Sequence, residues 1–95
     1  MNIERIDYSG LPEHMQEGMR LYMERGVSTG SFITAVLNND LVRAFSIADI
    51  TNTERMRDFA AFLYNQAPTD SWGSKAKVAE WKKAGGIVGL GYTEV

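Results

Sequence analysis

The stretch of this chain best suited to chemistry is Gly26-Val27-Ser28-Thr29-Gly30-Ser31-Phe32. It is a small, hydroxyl-rich loop that runs straight into an apolar segment. The first turn of a helix carries free backbone N–H groups and a partial positive charge. Ser28, Thr29, Gly30 and Ser31 therefore read as a cradle for a phosphate or another anion. The loop is not a P-loop, because no Gly-Lys-Ser/Thr follows. A helix N-cap and a glycine turn account for the same residue types without any ligand.

Trp72-Gly73-Ser74 repeats the theme. There Trp72 is suited to stack on a nucleobase while a turn capped by Ser74 takes a phosphate. The structural alternative is a Trp that closes one end of the core. Arg43, Arg55 and Arg57 offer forked guanidinium bonds to an anion if their helices pack as a hairpin. Surface ion pairs are the plainer account of all three. Asn38-Asn39-Asp40 suits either the polar edge of a ligand or the backbone at a helix junction. His14 is the only histidine, and there is no cysteine. Disulfides, thiolate zinc sites and cysteine nucleophiles are thereby removed, and a triad would need His14 beside a serine and an acid. No catalytic residue, metal ligand or cofactor is assigned.

The elements that position these groups are short helices. The first is expected over Pro12–Arg25, with Leu11, Met15, Met19 and Tyr22 as its apolar stripe and Gly26 as its left-handed stop. Gly18 beside that stripe leaves room for a close helix. On the outer face, Arg20 and Arg25 offset Glu13, Glu17 and Glu24. The second helix, Ser31–Leu37, is capped by Ser28 or Thr29 and is apolar almost all round, hence central. Asp40 caps a third, Leu41–Ala48, with Leu41, Val42, Phe45 and Ala48 inward. Thr51-x-x-Glu54 reads as a capping box for a fourth, whose inward stripe is Met56, Phe59, Ala60 and Leu63 and which ends near Asn65 ahead of Pro68. Ser74 caps a fifth, Lys75–Ala84, with Val78 and Trp81 inward and Gly85-Gly86 as its stop. Residues 1–10 are an extended lead-in. Residues 86–95 form a glycine-rich apolar tail that pairs as a short strand with residues 3–8, docks on the core, or adds to a neighbouring subunit. The fold class is all-α: one domain over 1–95, a compact bundle of about five short helices with a short strand or extended apolar tail at its C-terminus.

Composition agrees with a soluble domain. Hydrophobic residues make up 44% and charged residues 23%, and the net charge is −2. Duplex nucleic acid calls for clustered excess Lys and Arg, which this balance lacks. No run approaches the roughly 18 apolar residues of a membrane span, and the N-terminus has no apolar signal core. The expected location is the cytoplasm.

Several motifs in order carry a family likeness: Leu11-Pro12-Glu13-His14-Met15, Gly26 through Phe32, Thr34 through Leu41, Phe62 through Pro68, and Trp72-Gly73-Ser74. Over roughly residues 11–85 the chain resembles a group of small accessory proteins encoded by tailed phages and prophages. That resemblance implies a setting in the host bacterial cytoplasm, where host-interaction and anti-defence roles are common, and it transfers no site residue. The functional expectation is a non-catalytic protein that sequesters a small phosphate-bearing ligand, such as a cyclic or modified nucleotide used as an immune signal. Its site would comprise Ser28, Thr29, Gly30, Ser31, Arg43, Arg57, Trp72 and Ser74. A pocket in so small a chain is best built between subunits, so a homo-oligomer is expected. The alternative is a protein–protein inhibitor of a host defence protein, anti-CRISPR-like in mode. A small hydrolase or nuclease is the least supported, because no paired carboxylates stand at helical spacing beside a histidine.

Overall fold

Leu11 and Pro12 are buried at the point where the chain enters its longest helix, and the far end of that helix organises the fold. The structure, a computed structural model, describes residues 2–3, 6–91 and 93–94, with side chains over 6–91. Among these residues there are seven α-helices: α1 (Glu13–Arg25), α2 (Ser31–Leu37), α3 (Leu41–Ile47), α4 (Ile50–Glu54), α5 (Met56–Asn65), α6 (Lys75–Ala84) and α7 (Gly86–Gly89). A 3-10 turn, Thr69–Ser71, precedes α6. β1 (Asn2–Ile3) and β2 (Thr93–Glu94) pair in parallel, Asn2 opposite Thr93 and Ile3 opposite Glu94. The all-α class holds, with more and shorter helices than the expected five. No helix among the described residues is long and apolar enough to cross a membrane.

The end of α1 is the centre of the packing. Gly26 caps α1 in the left-handed region (φ 68°), and its N–H donates to the Tyr22 carbonyl at 2.9 Å. The same carbonyl accepts the indole N–H of the buried Trp81 on α6 at 3.0 Å. The Tyr22 hydroxyl donates to the Ser71 carbonyl at 2.6 Å. One residue of α1 thus holds both α6 and the 3-10 turn. α7 lies against the same end. A Cβ on Gly86 (φ +67°) would stand 2.7 Å from Glu24 C, Arg25 N and Gly26 N. Only glycine permits that approach, and its positive φ disfavours any other residue. Gly18, the expected site of close contact, would meet only Ile33 Cδ1, at 3.9 Å.

Around this junction the core gathers Met19, Tyr22 and Met23 of α1, the apolar face of α2, Phe59, Phe62 and Leu63 of α5, and Val78 and Trp81 of α6. Phe32 and Phe59 meet edge to face at 5.1 Å. The expected α1 stripe is inward, and Ser74 and Asp40 cap α6 and α3 as expected, accepting from Lys77 N and Arg43 N. On the outer face of α1, Arg20 bridges Glu17 and Glu24. The Glu17 carboxyl is held below its usual range by the Arg20 hydrogen bond.

Several sequence expectations are corrected. Helix α2 begins at Ser31, but its N-cap is Gly30, and neither Ser28 nor Thr29 caps it. The capping box is not formed. Asp49, two residues earlier, accepts from Asn52 N, and Thr51 lies inside α4. The expected fourth helix is broken at Arg55 into α4 and α5. The Arg55 side chain turns there to pair with Asp58 and to donate to the Gly10 carbonyl. Within α5 the buried residues are Phe59, Phe62 and Leu63, and Ala60 is exposed. The third helix ends at Ile47, and its apolar face is turned out: Leu41 is 62% exposed, Val42 80% and Phe45 47%, while Ala44 is fully buried. Helix α3 is seven residues long and follows a tight turn in which Asn39 takes φ 61°. Its Ala44 side lies on α2, and among the described residues most of its larger apolar side chains stay open to the surface. The tail is not extended over Gly86–Gly89. It forms a helical turn docked on α1 with Ile87 buried, the docking that the sequence left open, and Thr93–Glu94 pairs with Asn2–Ile3. The parts of the terminal expectations that fall on residues 1, 4, 5, 92 and 95 lie outside the described residues.

The α1 junction makes two outcomes testable. Gly86→Ala should lower unfolding free energy by about 3 kcal/mol or more, since backbone strain and overpacking combine. Gly10→Ala, with open space around its Cα, should change it by less than about 0.5 kcal/mol. Urea denaturation reads both. Burial raises the Tyr22 phenol well above its ordinary value of 10.0. The folded state therefore favours the neutral phenol, and the stability it contributes is full below pH 10 and lost as pH rises beyond it. Tyr22→Phe should cost about 1–2 kcal/mol at neutral pH, leaving the Ser71 carbonyl without its donor. The same variant should show a shallower alkaline loss of stability than the parent chain.

Candidate functional site

The exposed face of α3 borders a groove of about 510 Å³ between α3 and α5. The buried side chains of Val36, Ala44, Phe59 and Leu63 make its floor, and Leu41, Ala60 and Tyr64 stand at its rim. Tyr64 is 84% exposed and Leu41 62%, so the apolar lining runs out onto the surface. Trp72 and Asn65 also line the groove, as do Asn39, Asp40 and Arg57.

Local structure explains how each of these groups arrives. Asp40 caps α3 and so sits at the α2–α3 corner. Helix α5 carries Met56, Arg57, Ala60, Leu63 and Tyr64 along one side at helical spacing, so they line the groove in sequence. Trp72 is in extended conformation, and the next residue, Gly73, donates its N–H to the Leu37 carbonyl at 2.8 Å. That bond fastens the loop to the end of α2 and sets the half-buried indole at the groove. The Trp72 Nε1 atom is buried and has no hydrogen-bond partner among the described residues.

Of the eight residues singled out in the sequence, the structure brings two together at this groove, Arg57 and Trp72. Arg43 is exposed on α3 and does not line it. Ser74 is at the start of α6, where its hydroxyl accepts Lys77 N at 3.1 Å. Ser28, Thr29 and Gly30 lie in the α1–α2 connection and Ser31 opens α2, and none of them lines the groove. Ser28 and Ser31 are exposed, and the Thr29 and Thr34 hydroxyls bond each other at 2.9 Å. Ser74 thus caps its own helix, the Thr29 hydroxyl bonds Thr34 of α2, and the two bends do not line the groove with Arg57. His14 is the second residue of α1 and stands 3.5 Å from Asp49, both groups about half exposed. Among the described residues no group of three or more His, Cys, Asp or Glu is placed to hold a metal ion.

Sequence reasoning missed Leu41, Ala60 and Tyr64 as surface groups. A signal was present: Leu41, Val42, Phe45, Ile47 and Ile50 are more large apolar residues than two short helices can bury on one side. What the groove offers chemically is desolvation of an apolar group, with one guanidinium and one carboxylate at its lining.

No family model, curated protein or solved structure matches the chain.

The assignment of Ser74 to capping has a direct check. Ser74→Ala should destabilise the fold by about 1 kcal/mol through loss of the α6 cap, whereas Ser28→Ala should change stability by less than about 0.5 kcal/mol. Thermal unfolding followed by circular dichroism measures the difference.

Proposed function

We propose that this chain is a non-catalytic binding protein that acts by docking on another protein, with the α3–α5 face as its contact surface. The observation that carries this is the apolar groove bordered by the open Leu41, Val42, Phe45 and Tyr64 side chains. Such a surface gains by being covered, and a macromolecule covers both the groove and the ridge beside it. The phage-accessory resemblance of residues 11–85 makes inhibition of a host defence protein the natural role, by steric occupation and not by chemistry.

Capture of a phosphate-bearing ligand is the second reading. Arg57 and Trp72 at one groove favour it, since a guanidinium and an indole together suit a nucleotide. It receives less support from the rest of the expected site. The Ser74 hydroxyl is engaged in its cap, the Thr29 hydroxyl in its bond to Thr34, and Arg43 lies outside the groove. The remaining lining is mostly apolar and would leave a phosphate poorly solvated.

The two readings separate by experiment. The immobilised chain should retain a bacterial protein, identified by mass spectrometry, and Leu41→Glu and Tyr64→Glu should each lose it while keeping the parent circular dichroism. Calorimetry against cyclic nucleotides and NAD-derived signals should give no saturable heat. A saturable heat lost in Arg57→Ala and Trp72→Ala, or capture indifferent to Leu41→Glu, overturns protein docking at this face.

A further inference from the structure

We infer that one side of α6, with the end of α1 beside it, is a second contact surface that takes an extended acidic segment of a protein partner. None of its residues lines the α3–α5 groove.

Helical geometry sets the strip. Lys75 and Lys82 are seven residues apart on α6 and so share one side, two turns apart, with the exposed Ala79 between them and Lys83 next to Lys82. Glu80, the one acid of α6, is turned well away from Lys75 and Lys82. The strip continues onto α1. A Cβ on Gly26 would stand 3.0 Å from the Lys82 carbonyl oxygen, and one on Gly86 2.7 Å from the Arg25 nitrogen. The exposed Arg25 and Val27 therefore belong beside the last turn of α6, and Val88, 55% exposed on α7, joins them.

These cations lack partners. Among the described residues Arg20 and Arg55 meet carboxylates, whereas Arg25, Lys75, Lys82 and Lys83 are exposed and in no ion pair. The helix dipole favours Lys82 and Lys83 at the end of α6, but it opposes Lys75, the first residue of that helix. Helix stability thus does not account for the whole strip.

Charge and width select the occupant. Four of the chain's ten Lys and Arg lie here, which leaves six against its twelve Asp and Glu, a net −6 for the rest of the chain. A bilayer or a duplex would meet that negative surface as well as the strip, and a single extended segment would not. No aromatic residue belongs to the strip, so it gives stacked bases no platform. Lys75 and Lys82 are about 10 Å apart along the axis, the span of about three residues of extended chain. Carboxylates at every third residue of such a segment reach both, and aliphatic side chains between them suit Val27 and Val88.

Fluorescence anisotropy on the intact chain tests this with a labelled peptide of about twelve residues that repeats Glu-Val-Ser. Saturable binding is expected, at least about tenfold weaker in 300 mM than in 50 mM salt, and none for the same peptide with Gln for Glu. Lys75→Gln, and Lys82→Gln together with Lys83→Gln, should each weaken binding at least about threefold while keeping the parent circular dichroism. Arg43→Gln removes the same charge from α3 and should leave binding unchanged. No saturable binding of the Glu-Val-Ser peptide overturns the inference, as does an equal loss in Arg43→Gln. Tighter binding of a short oligo-dT, or of phosphatidylcholine vesicles containing phosphatidylserine, overturns the acidic protein segment as occupant.

Discussion

The contact on which the rest of the structure depends is backbone against backbone, where the end of α1 meets the α6–α7 turn. Gly26 and Gly86 are both in the left-handed region, and a side chain on Gly86 would collide with the main chain of Glu24, Arg25 and Gly26. The approach lets the Tyr22 carbonyl serve two donors at once, its own helix cap and the Trp81 indole. Without it, α6 could not lie close enough for its Trp to reach α1. Ile87 would also lose the surface it packs on.

The close junction matters because the elements are individually weak. Helices α2 and α3 have seven residues each and α7 has four, far below the length at which an isolated helix holds together in water. Their stability comes from packing on α1 and on one another. The core follows that geometry: Phe32 of α2 meets Phe59 of α5, Ile33 lies beside Gly18 of α1, and Val78 and Trp81 of α6 join the same cluster. Helix α3 reaches this core only through Ala44. Its larger apolar groups are left on the outside, beside a groove they help to wall.

The groove and the junction are thus two results of one packing arrangement. Burial of Phe59, Phe62 and Leu63 draws α5 inward and leaves Ala60 and Tyr64 facing α3 across the gap. The hydrogen bond from Gly73 to Leu37 closes the corner with Trp72. Among the candidate anion-binding residues, the serines and Thr29 serve local backbone and hydroxyl bonds or stand exposed in the α1–α2 connection. Polar residues of these types are as well suited to ending helices as to holding phosphate, and sequence pattern does not distinguish the two uses. Arg57 and Trp72 reach a shared surface only because α5 and the α6 approach are folded against α2.

The sequence by itself determined the all-α class, the extents of α2 and α6, the inward stripe of α1, and the caps at Asp40 and Ser74. These are local matters: periodicity, a side-chain oxygen three residues from an amide, and glycines that accept positive φ. Tertiary structure decided which side of α3 is inside, where the Thr51–Asn65 segment breaks, and that Gly86–Gly89 is a docked helical turn. Each of these depends on what lies across from the residue. An apolar side chain carries the same period whether its partner is present or missing, so the open face of α3 became visible only once the neighbouring helices had been placed.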